Sequence, residues 1–501
     1  MVRKAARVNQ GDLPGQRGGL MDYDPQEPAW AGVRAPIVAK KLRNGSGAKG
    51  AQEGGLVTGS KREKQPAIVP QAKQVGETQD RWSWVEPSVW TALMLTALEQ
   101  GVKGNKWFSL IDKVYRAANL TSAFAQVKRN GGAAGVDQQT IAMYERDLAA
   151  NQEKLARQLQ DDSYYPAAVR RVWTDKAGTK AKRPLGIPTV RDRVAETALR
   201  NVLEPIFERD FAEQSYGFRP GRGAKQALRR VDQLLKAGYT YVVDADLQSY
   251  FDSIPHEPLL KRVQEKVSDG RIIRLLTLYL QQSVLAGMAS WTPETGTPQG
   301  AVISPLLSNI YLDPLDHLVA AQGLEMVRYA DDFVILCRSA AEAQAALQLV
   351  QQWTAESGLT LHPEKTRVVD ASVKGGFDFL GYHFERGFRW PRQKSIKKLR
   401  ENLRRKTRRN NGHSLAVIIA EVNRTLTGWF EYFKHSHKTA FRNHDAWVRT
   451  RLRSILRRRL KLPGGAWYRT DYQRWSNADF ATKGLFSLAL AHQSLRQSAR
   501  R

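Results

Sequence analysis

Two short apolar stretches that run into aspartates constrain this chain more than anything else in it. Residues 239–247 read YTYVVDADL, and residues 326–337 read MVRYADDFVILC. The first has the β-branched density of a buried strand and ends in Asp244 and Asp246. The second reads as two short strands joined at Ala330-Asp331-Asp332. A carboxylate at a strand end or hairpin tip is held rigidly and still reaches solvent. Adjacent anions repel each other unless a cation neutralises them. Mg²⁺ suits such a place, because it takes few carboxylates and leaves room for water and substrate phosphates. Two such ions ~3.5–4 Å apart stabilise both oxygens of an in-line phosphoryl displacement, which needs carboxylates from distant segments to meet at one point. On these residues alone, a solvated turn carrying two aspartates is an equal reading.

The rest of the chain falls into zones. Residues 1–80 are rich in Gly, Ala, Lys, Gln and Pro without periodicity, and are expected to be disordered. From Arg81 to about Leu159 the pattern predicts helices: WTALMLTALEQ, then WFSLIDKVYRAANLTSAFAQVKRN ended by Gly131-Gly132. AVRRVWTDKAGTKAKRPLGIP predicts a β-hairpin turning at Lys176-Ala177-Gly178 and bearing Arg170, Arg171, Lys176 and Arg183. A helix follows, with Val194, Leu199, Val202, Leu203 and Ile206 on one face. Residues 257–283 read as helical. An amphipathic helix ends at Gly358, TLHPEKTRVVD supplies a turn and a strand, and FDFLGYHFERGFRW closes the mixed region.

Charge enters at the C-terminal end. The chain of 501 residues has a formal net charge of +29 and a pI near 10.2. From Pro391 onward, 27 Lys and Arg stand against 6 Asp and Glu. An excess of that size points to a polyanionic partner, since neutralising phosphates releases condensed counterions. Here the apolar stripes have helical spacing: Ile396, Leu399 and Leu403; Leu415, Ile418, Val422, Leu426, Trp429 and Phe433; Trp447, Leu452 and Ile455. Each stripe needs a partner, so a helical bundle is expected. Trp429, Tyr432 and Phe433 read as core before base-stacking platforms. Pro463-Gly464-Gly465 breaks the run ahead of a short tail. One cysteine, Cys337, excludes a disulfide framework and a cysteine-rich zinc site. His413, His435, His437 and His444 lack convincing metal spacing. No apolar run is long enough to span a bilayer and no secretory signal opens the chain, so a cytoplasmic protein with no membrane partner is expected.

The motifs together resemble a known family. Tyr329-Ala330-Asp331-Asp332 between apolar strands resembles the YxDD motif of reverse transcriptases. Asp246 with Phe251 five residues later resembles their first metal-binding motif. Thr297-Pro298-Gln299-Gly300 and SPLLSNIYL resemble the motif between them. Arg183-Pro184-Leu185-Gly186-Ile187-Pro188 and SYGFRPGRGA are similar to fingers motifs of the group II intron branch, and HPEKTRV and FDFLGYHF to its later palm motifs. They occur in family order over about residues 120–385. TLTGWFEYF and AWVRTRLRSILRRRLK, within about residues 395–462, resemble the thumb and maturase-specific domain of group II intron proteins.

The resemblance implies an α+β right-hand polymerase of fingers and palm, followed by an α-helical thumb and maturase domain. Its expected boundaries are 1–80, a disordered basic extension; 81–165, a helical region leading into the fingers; 166–388, fingers and palm; 389–465, thumb and maturase domain; and 466–501, a basic tail. It implies that Asp246, Asp331 and Asp332 are catalytic and hold two Mg²⁺ ions with the Leu247 carbonyl. Asp244 and Asp252 stay outside that set as structural residues. Phe251 is expected under the sugar of the incoming dNTP, where a ring blocks a 2′-OH; a core aromatic is the plain alternative. Gln299 and Gly300 are expected beside nucleotide and template, where glycine permits close backbone approach. Lys176 and Arg183 are expected to grip the triphosphate, with Arg170 a further basic fingers position and Lys365 a candidate proton donor to pyrophosphate. Each could instead be a solvated surface cation.

Arg404, Arg405, Arg408, Arg453, Arg457, Arg458 and Arg459 are expected to bind structured RNA, which is recognised by shape and phosphate contacts. The partners implied are group II intron RNA, a DNA target or primer, and dNTP; the oligomeric state is not implied. The expected protein is an RNA-directed DNA polymerase and intron maturase, nucleoid-associated as a bacterial ribonucleoprotein. The paired cysteines of the HNH-type endonuclease found in many relatives are not present, so second-strand cleavage is not expected of this chain. Two rivals stand beside this reading: a retron or defence reverse transcriptase, and a maturase that only assists splicing.

Overall fold

The palm grows from alternation. In β3 (Tyr241–Asp246) the side chains of Val243 and Ala245 enter one core, and Val242 enters another on the opposite face. The computed structural model describes residues 81–175, 182–463 and 469–498. Apart from Lys128–Gly132, these form one compact unit. Residues 1–80 and the Lys176-Ala177-Gly178 turn lie outside the described residues.

Strands β1 (Val169–Asp175) and β2 (Lys182–Ile187) form the expected antiparallel hairpin. Strands β4 (Val284–Ala286) and β5 (Ala289–Trp291) extend it to a four-stranded sheet of order β2-β1-β4-β5, with β1 and β4 parallel. That second hairpin is short and lacks an apolar alternation, so periodicity did not reveal it. The palm sheet has order β6-β7-β3-β8, from β6 (Glu325–Tyr329), β7 (Asp332–Cys337), β3 and β8 (Arg367–Asp370), all antiparallel. One face packs on helices Ser304–Ala321 and Ala340–Glu356 through Phe333, Ile335, Cys337 and their neighbours, and helix Val190–Glu208 packs on Ser304–Ala321 in the same core. The other packs on helix Ala224–Lys236 and on a three-stranded sheet of β9 (Phe377–Phe379), β10 (Tyr382–Glu385) and β11 (Phe388–Pro391).

Several expectations change in detail. The stretch 107–130 is not one helix: Trp107 pairs with Val267 as an isolated bridge, and helices Ile111–Val114 and Ala117–Asn130 follow. The Asp269 carboxylate fixes where the first of these helices begins, because it accepts the backbone N–H groups of Leu110 (2.6 Å) and Ile111 (2.9 Å). The same residue caps helix Gly270–Leu280, which splits the 257–283 stretch from helix His256–Gln264.

Beyond β11, helices Gln393–Lys406, Leu415–Phe433 and Thr439–Arg459 bury the expected stripes at Leu399, Leu403, Ile418, Val422, Leu426, Leu452 and Ile455. The stretch expected as a basic tail contains helices. Helices Arg469–Arg474, Asn477–Thr482 and Leu488–Ser498 close the bundle with Phe480 and Leu488 fully buried. Among the described residues no helix is long and apolar enough to cross a membrane.

Candidate active site

The register of the palm sheet brings the acidic residues together. Asp246, the last residue of β3, lies directly opposite Asp332, the first of β7. Partners in an antiparallel pair have Cα atoms about 4.5–5.5 Å apart. Tyr329 also pairs with Asp332, so Ala330 and Asp331 form the two-residue turn of the β6–β7 hairpin. Ala330 sits at φ +59°, the left-handed conformation that tight hairpins require and that costs a side-chain-bearing residue energy.

What holds that turn was not visible in the motif. Arg328 has no exposed surface, nor does its partner Asp316. Its Nε donates to Asp316 Oδ1 (2.7 Å), a second nitrogen pairs with the other carboxylate oxygen, and Nη1 donates to Asn309 Oδ1 (2.9 Å) and to the Ala330 carbonyl (3.0 Å). On the outer side Tyr216 N–H donates to the Arg328 carbonyl (2.8 Å), and Arg328 N–H to that of Gln214 (3.0 Å). Gly217 then passes so close that a Cβ there would stand 2.1 Å from the Ala330 nitrogen. Asn309 also donates to the Gly217 carbonyl (2.9 Å). SYGFRP is therefore a brace for the Asp331 turn, and its buried Arg219 locks it by pairing with Glu208 at 2.8 Å.

The electrostatics of the tip are unbalanced. Burial, then the charges of Asp331, Asp244 and Asp246, push the Asp332 carboxyl up to about 7. Burial also raises Asp331, while the Arg183 guanidinium of β2 pulls it down. Asp244 rises to about 6 through burial, against the opposing pull of Arg367 at 3.4 Å. Lys365, in the HPEK turn, meets Asp246 Oδ2 at 2.5 Å. Among the described residues no three His, Cys, Asp or Glu side chains are drawn round one point. Carboxyls held above their ordinary range by burial first, and then by the charge of neighbouring carboxylates, fit a hard divalent cation. Leu247 follows directly and pairs with Leu361 as an isolated bridge.

The residues expected to meet the nucleotide lie on the neighbouring loops and on β2. The Thr297 N–H donates to the Phe251 carbonyl (2.6 Å) and that of Gly296 to Ile254 (2.8 Å). Phe251 is half-buried, edge-on to Phe218 and Tyr250. Gly186 N–H donates to the Gln299 carbonyl at 2.6 Å. Gly300 has φ +108°, and a Cβ on it would meet the Gly186 oxygen at 2.3 Å, so only glycine closes the loop onto β2. A cavity of about 190 Å³ opens there, walled by Arg171, Gly186, Asp252, Trp291, Thr297 and Gln299. Arg183 is exposed on β2, whereas Lys176 lies outside the described residues. Arg170 is half-buried, and both its Nε (3.1 Å) and Nη2 (2.6 Å) donate to the Ala134 carbonyl.

The arginine array must be corrected in two places. Arg453 is 1 % exposed; it donates to the Trp475 carbonyl (2.9 Å) and Asn477 (3.0 Å), with Tyr472 against its guanidinium. Arg457 is buried and paired with Asp471 at 2.7 Å. Both tie helix Thr439–Arg459 to the helices after it and present no charge to a phosphate. Arg404, Arg405, Arg408, Arg458 and Arg459 are exposed. Arg404 lies 5.8 Å from the Trp447 ring, beside Arg400 and Arg451, and Arg459 leans on the carbonyls of Asn411 and His413.

Comparison with known proteins gives two family matches and several relatives. Residues 174–384 match the family described as "Reverse transcriptase (RNA-dependent DNA polymerase)", and residues 396–475 match "Group II intron, maturase-specific domain". Protein YkfC of Escherichia coli (strain K12) is 30% identical over 342 residues, covering 61% of this chain and 86% of that protein. Group II intron-encoded protein LtrA of Lactococcus lactis subsp. cremoris is 38% identical over 167 residues, 33% of this chain and 28% of LtrA. An uncharacterized 91 kDa protein in the cob intron of Schizosaccharomyces pombe is 38% identical over 167 residues, 33% of this chain and 20% of its own. The chain thus spans most of the first relative and under a third of the other two.

Proposed function

The chain belongs to the reverse transcriptases that carry a group II intron maturase-specific domain, and on that premise we propose how it acts. It binds group II intron RNA through its basic helical region, assists splicing, and copies the RNA into DNA from a DNA primer. The observation that carries the polymerase reading is the register that sets Asp246 opposite Asp332 with Asp331 in the adjoining turn.

In this reading Asp246, Asp331 and Asp332, with the Leu247 carbonyl, hold Mg²⁺. The bound ions would supply charge stabilisation for the attacking 3′-oxygen and the leaving pyrophosphate. The chain's own residues do the rest. Arg183, whose charge is already felt at Asp331, orients the triphosphate, and Lys176 adds a point charge from the fingers turn. Gln299 and Gly300 present backbone to the nucleotide. Phe251 lies under the sugar and rejects a 2′-hydroxyl by contact. Lys365 stands where it neutralises Asp246 in the absence of substrate, and where it could donate a proton to departing pyrophosphate.

One preparation tests this. RNA that co-purifies with the full chain is sequenced, and primer extension on an RNA template is measured with wild type and Asp331→Ala. Extension abolished with intron RNA binding retained supports the division of labour. Loss of binding to the same degree refutes it, and splicing assistance with no extension by wild type would leave a maturase alone.

A further inference from the structure

Phe388 is 53 % exposed on a surface that the proposed chemistry does not use. It opens β11 just after a two-residue turn in which Arg386 (φ +52°) and Gly387 (φ +72°) are both left-handed, the geometry of the tightest hairpins. Trp390, two residues on and so on the same face of the strand, lies 5.8 Å away ring to ring. His437, from the turn between helices Leu415–Phe433 and Thr439–Arg459, completes a triad at 5.1 Å from Phe388 and 5.8 Å from Trp390.

The triad is braced. The His437 N–H donates to the Arg389 carbonyl (2.8 Å), the Arg389 Nε to the His435 carbonyl (2.9 Å), and the His437 ring meets Thr439 Oγ1 (2.9 Å). Palm hairpin and helical bundle therefore present these rings as one rigid surface. Its surroundings are basic. Burial first, then the positive charges of Arg389, Lys434, Lys225 and Arg229, hold the His435 imidazole below its ordinary range. Arg389 is shared with Asp232 (3.6 Å) and Lys434 with Glu431 (2.8 Å), while Lys225 and Arg229 stand exposed on helix Ala224–Lys236.

An exposed ring, Phe388, backed by the half-buried rings of Trp390 and His437 and set among cations, is the chemistry that takes an unpaired nucleobase on an aromatic face and its phosphates on the flanking charges. We propose that Phe388, Trp390 and His437, with Lys225 and Arg229, form a stacking site for single-stranded RNA, separate from the arginine face of the maturase helices. It rests on the reading of this chain as an RNA-binding reverse transcriptase. A duplex hides its base faces in its own stack, so the site selects loops, bulges and unpaired ends.

The test uses the full chain and a 16-nucleotide single-stranded RNA with one central 2-aminopurine, alone and annealed to its complement. Wild type should quench the single strand. Phe388→Ala should lose most of the quenching and bind about tenfold more weakly, ~1.4 kcal/mol, with an unchanged salt slope. Phe388→Tyr, which keeps the ring, should restore both. The double variant Lys225→Gln, Arg229→Gln should keep the quenching and lower the salt slope by about 1 to 2. Wild-type quenching and affinity in Phe388→Ala, or equal effects on the duplex, would overturn the site. Primer extension on the same samples separates the failures. A wild type that extends and binds while Phe388→Ala is unchanged sinks the stacking site alone. A wild type that neither extends nor binds RNA sinks the functional reading and the site with it.

Discussion

Arg328 donates to the Ala330 carbonyl at 3.0 Å, so the turn that presents Asp331 hangs from a guanidinium with no contact to water. Asp316 neutralises that guanidinium from the far side, and the left-handed Ala330 is held from both faces.

Breaking this pair should separate positioning from binding. Asp316→Asn leaves a buried charge without its counter-ion, a change that costs about 3–5 kcal/mol of stability. Arg328→Lys keeps the charge but loses the fork. For Arg328→Lys we expect kcat for primer extension to fall at least about tenfold and half-saturating Mg²⁺ to rise, with RNA affinity by filter binding unchanged. Unaltered kcat and Mg²⁺ dependence would reduce Arg328 to a core residue.

On the proposed assignment of Asp246 as a metal ligand, Lys365 competes with Mg²⁺ for its carboxylate. Lys365 and Asp246 are both about half exposed, so their pair contributes at most ~1 kcal/mol. Lys365→Ala should therefore lower half-saturating Mg²⁺ two- to fivefold, a range matching ~0.5–1 kcal/mol. If the lysine also protonates pyrophosphate, kcat falls while that Mg²⁺ value improves. A Mg²⁺ titration of extension rate reads both, and a higher Mg²⁺ requirement would contradict the competition.

The arginines of the helical region divide by burial. Reversing Arg404, Arg408 and Arg458 together should weaken binding to structured RNA and flatten its salt dependence by up to about 3 in slope. Arg457→Gln should instead act on the fold, since Asp471 loses its buried partner. Its expected outcome is a lower melting temperature with little change in salt slope below the transition. Salt-titrated RNA binding and thermal melts on both variants decide the matter.

Glu196 gives a pH test away from the carboxylate tip. It is fully buried and accepts the backbone N–H of Ile303 (3.1 Å) and that of Val302. Burial pushes its carboxyl up to about 8, against the pull of those two N–H groups. The folded state therefore binds a proton that the unfolded chain releases near the ordinary carboxylate range. Its contribution to stability is complete below about pH 4.5 and is lost as pH rises toward 8. Glu196→Gln is neutral throughout. The melting temperature of the variant should gain on wild type between pH 5 and 8, by about 2 °C per pH unit. Parallel curves would show that Glu196 does not titrate there.

The acidic tip was legible because it is local. Two β-branched runs ending in Asp246 and in Asp331-Asp332 announce strands and a turn, and the ordered motifs assign them to one palm. The helical stripes were legible for the same reason, since a period of 3.6 residues is written along the chain. By contrast, the Arg328–Asp316 pair, the Gly217 brace and the Lys365–Asp246 contact join segments remote in sequence, and no periodicity encodes them.

The arginine array shows where sequence stops. Arg453 and Arg457 are four residues apart and share one helix face, while Arg458 is turned about 100° away from Arg457. All read alike as cations on a basic helix. Only the docking of the helices that carry Asp471, Phe480 and Leu488 decided which face met protein and which met solvent. Local order is set by residues a few positions apart, and a single chain displays it. Burial is set by whatever packs alongside, and only the assembled tertiary structure supplies that.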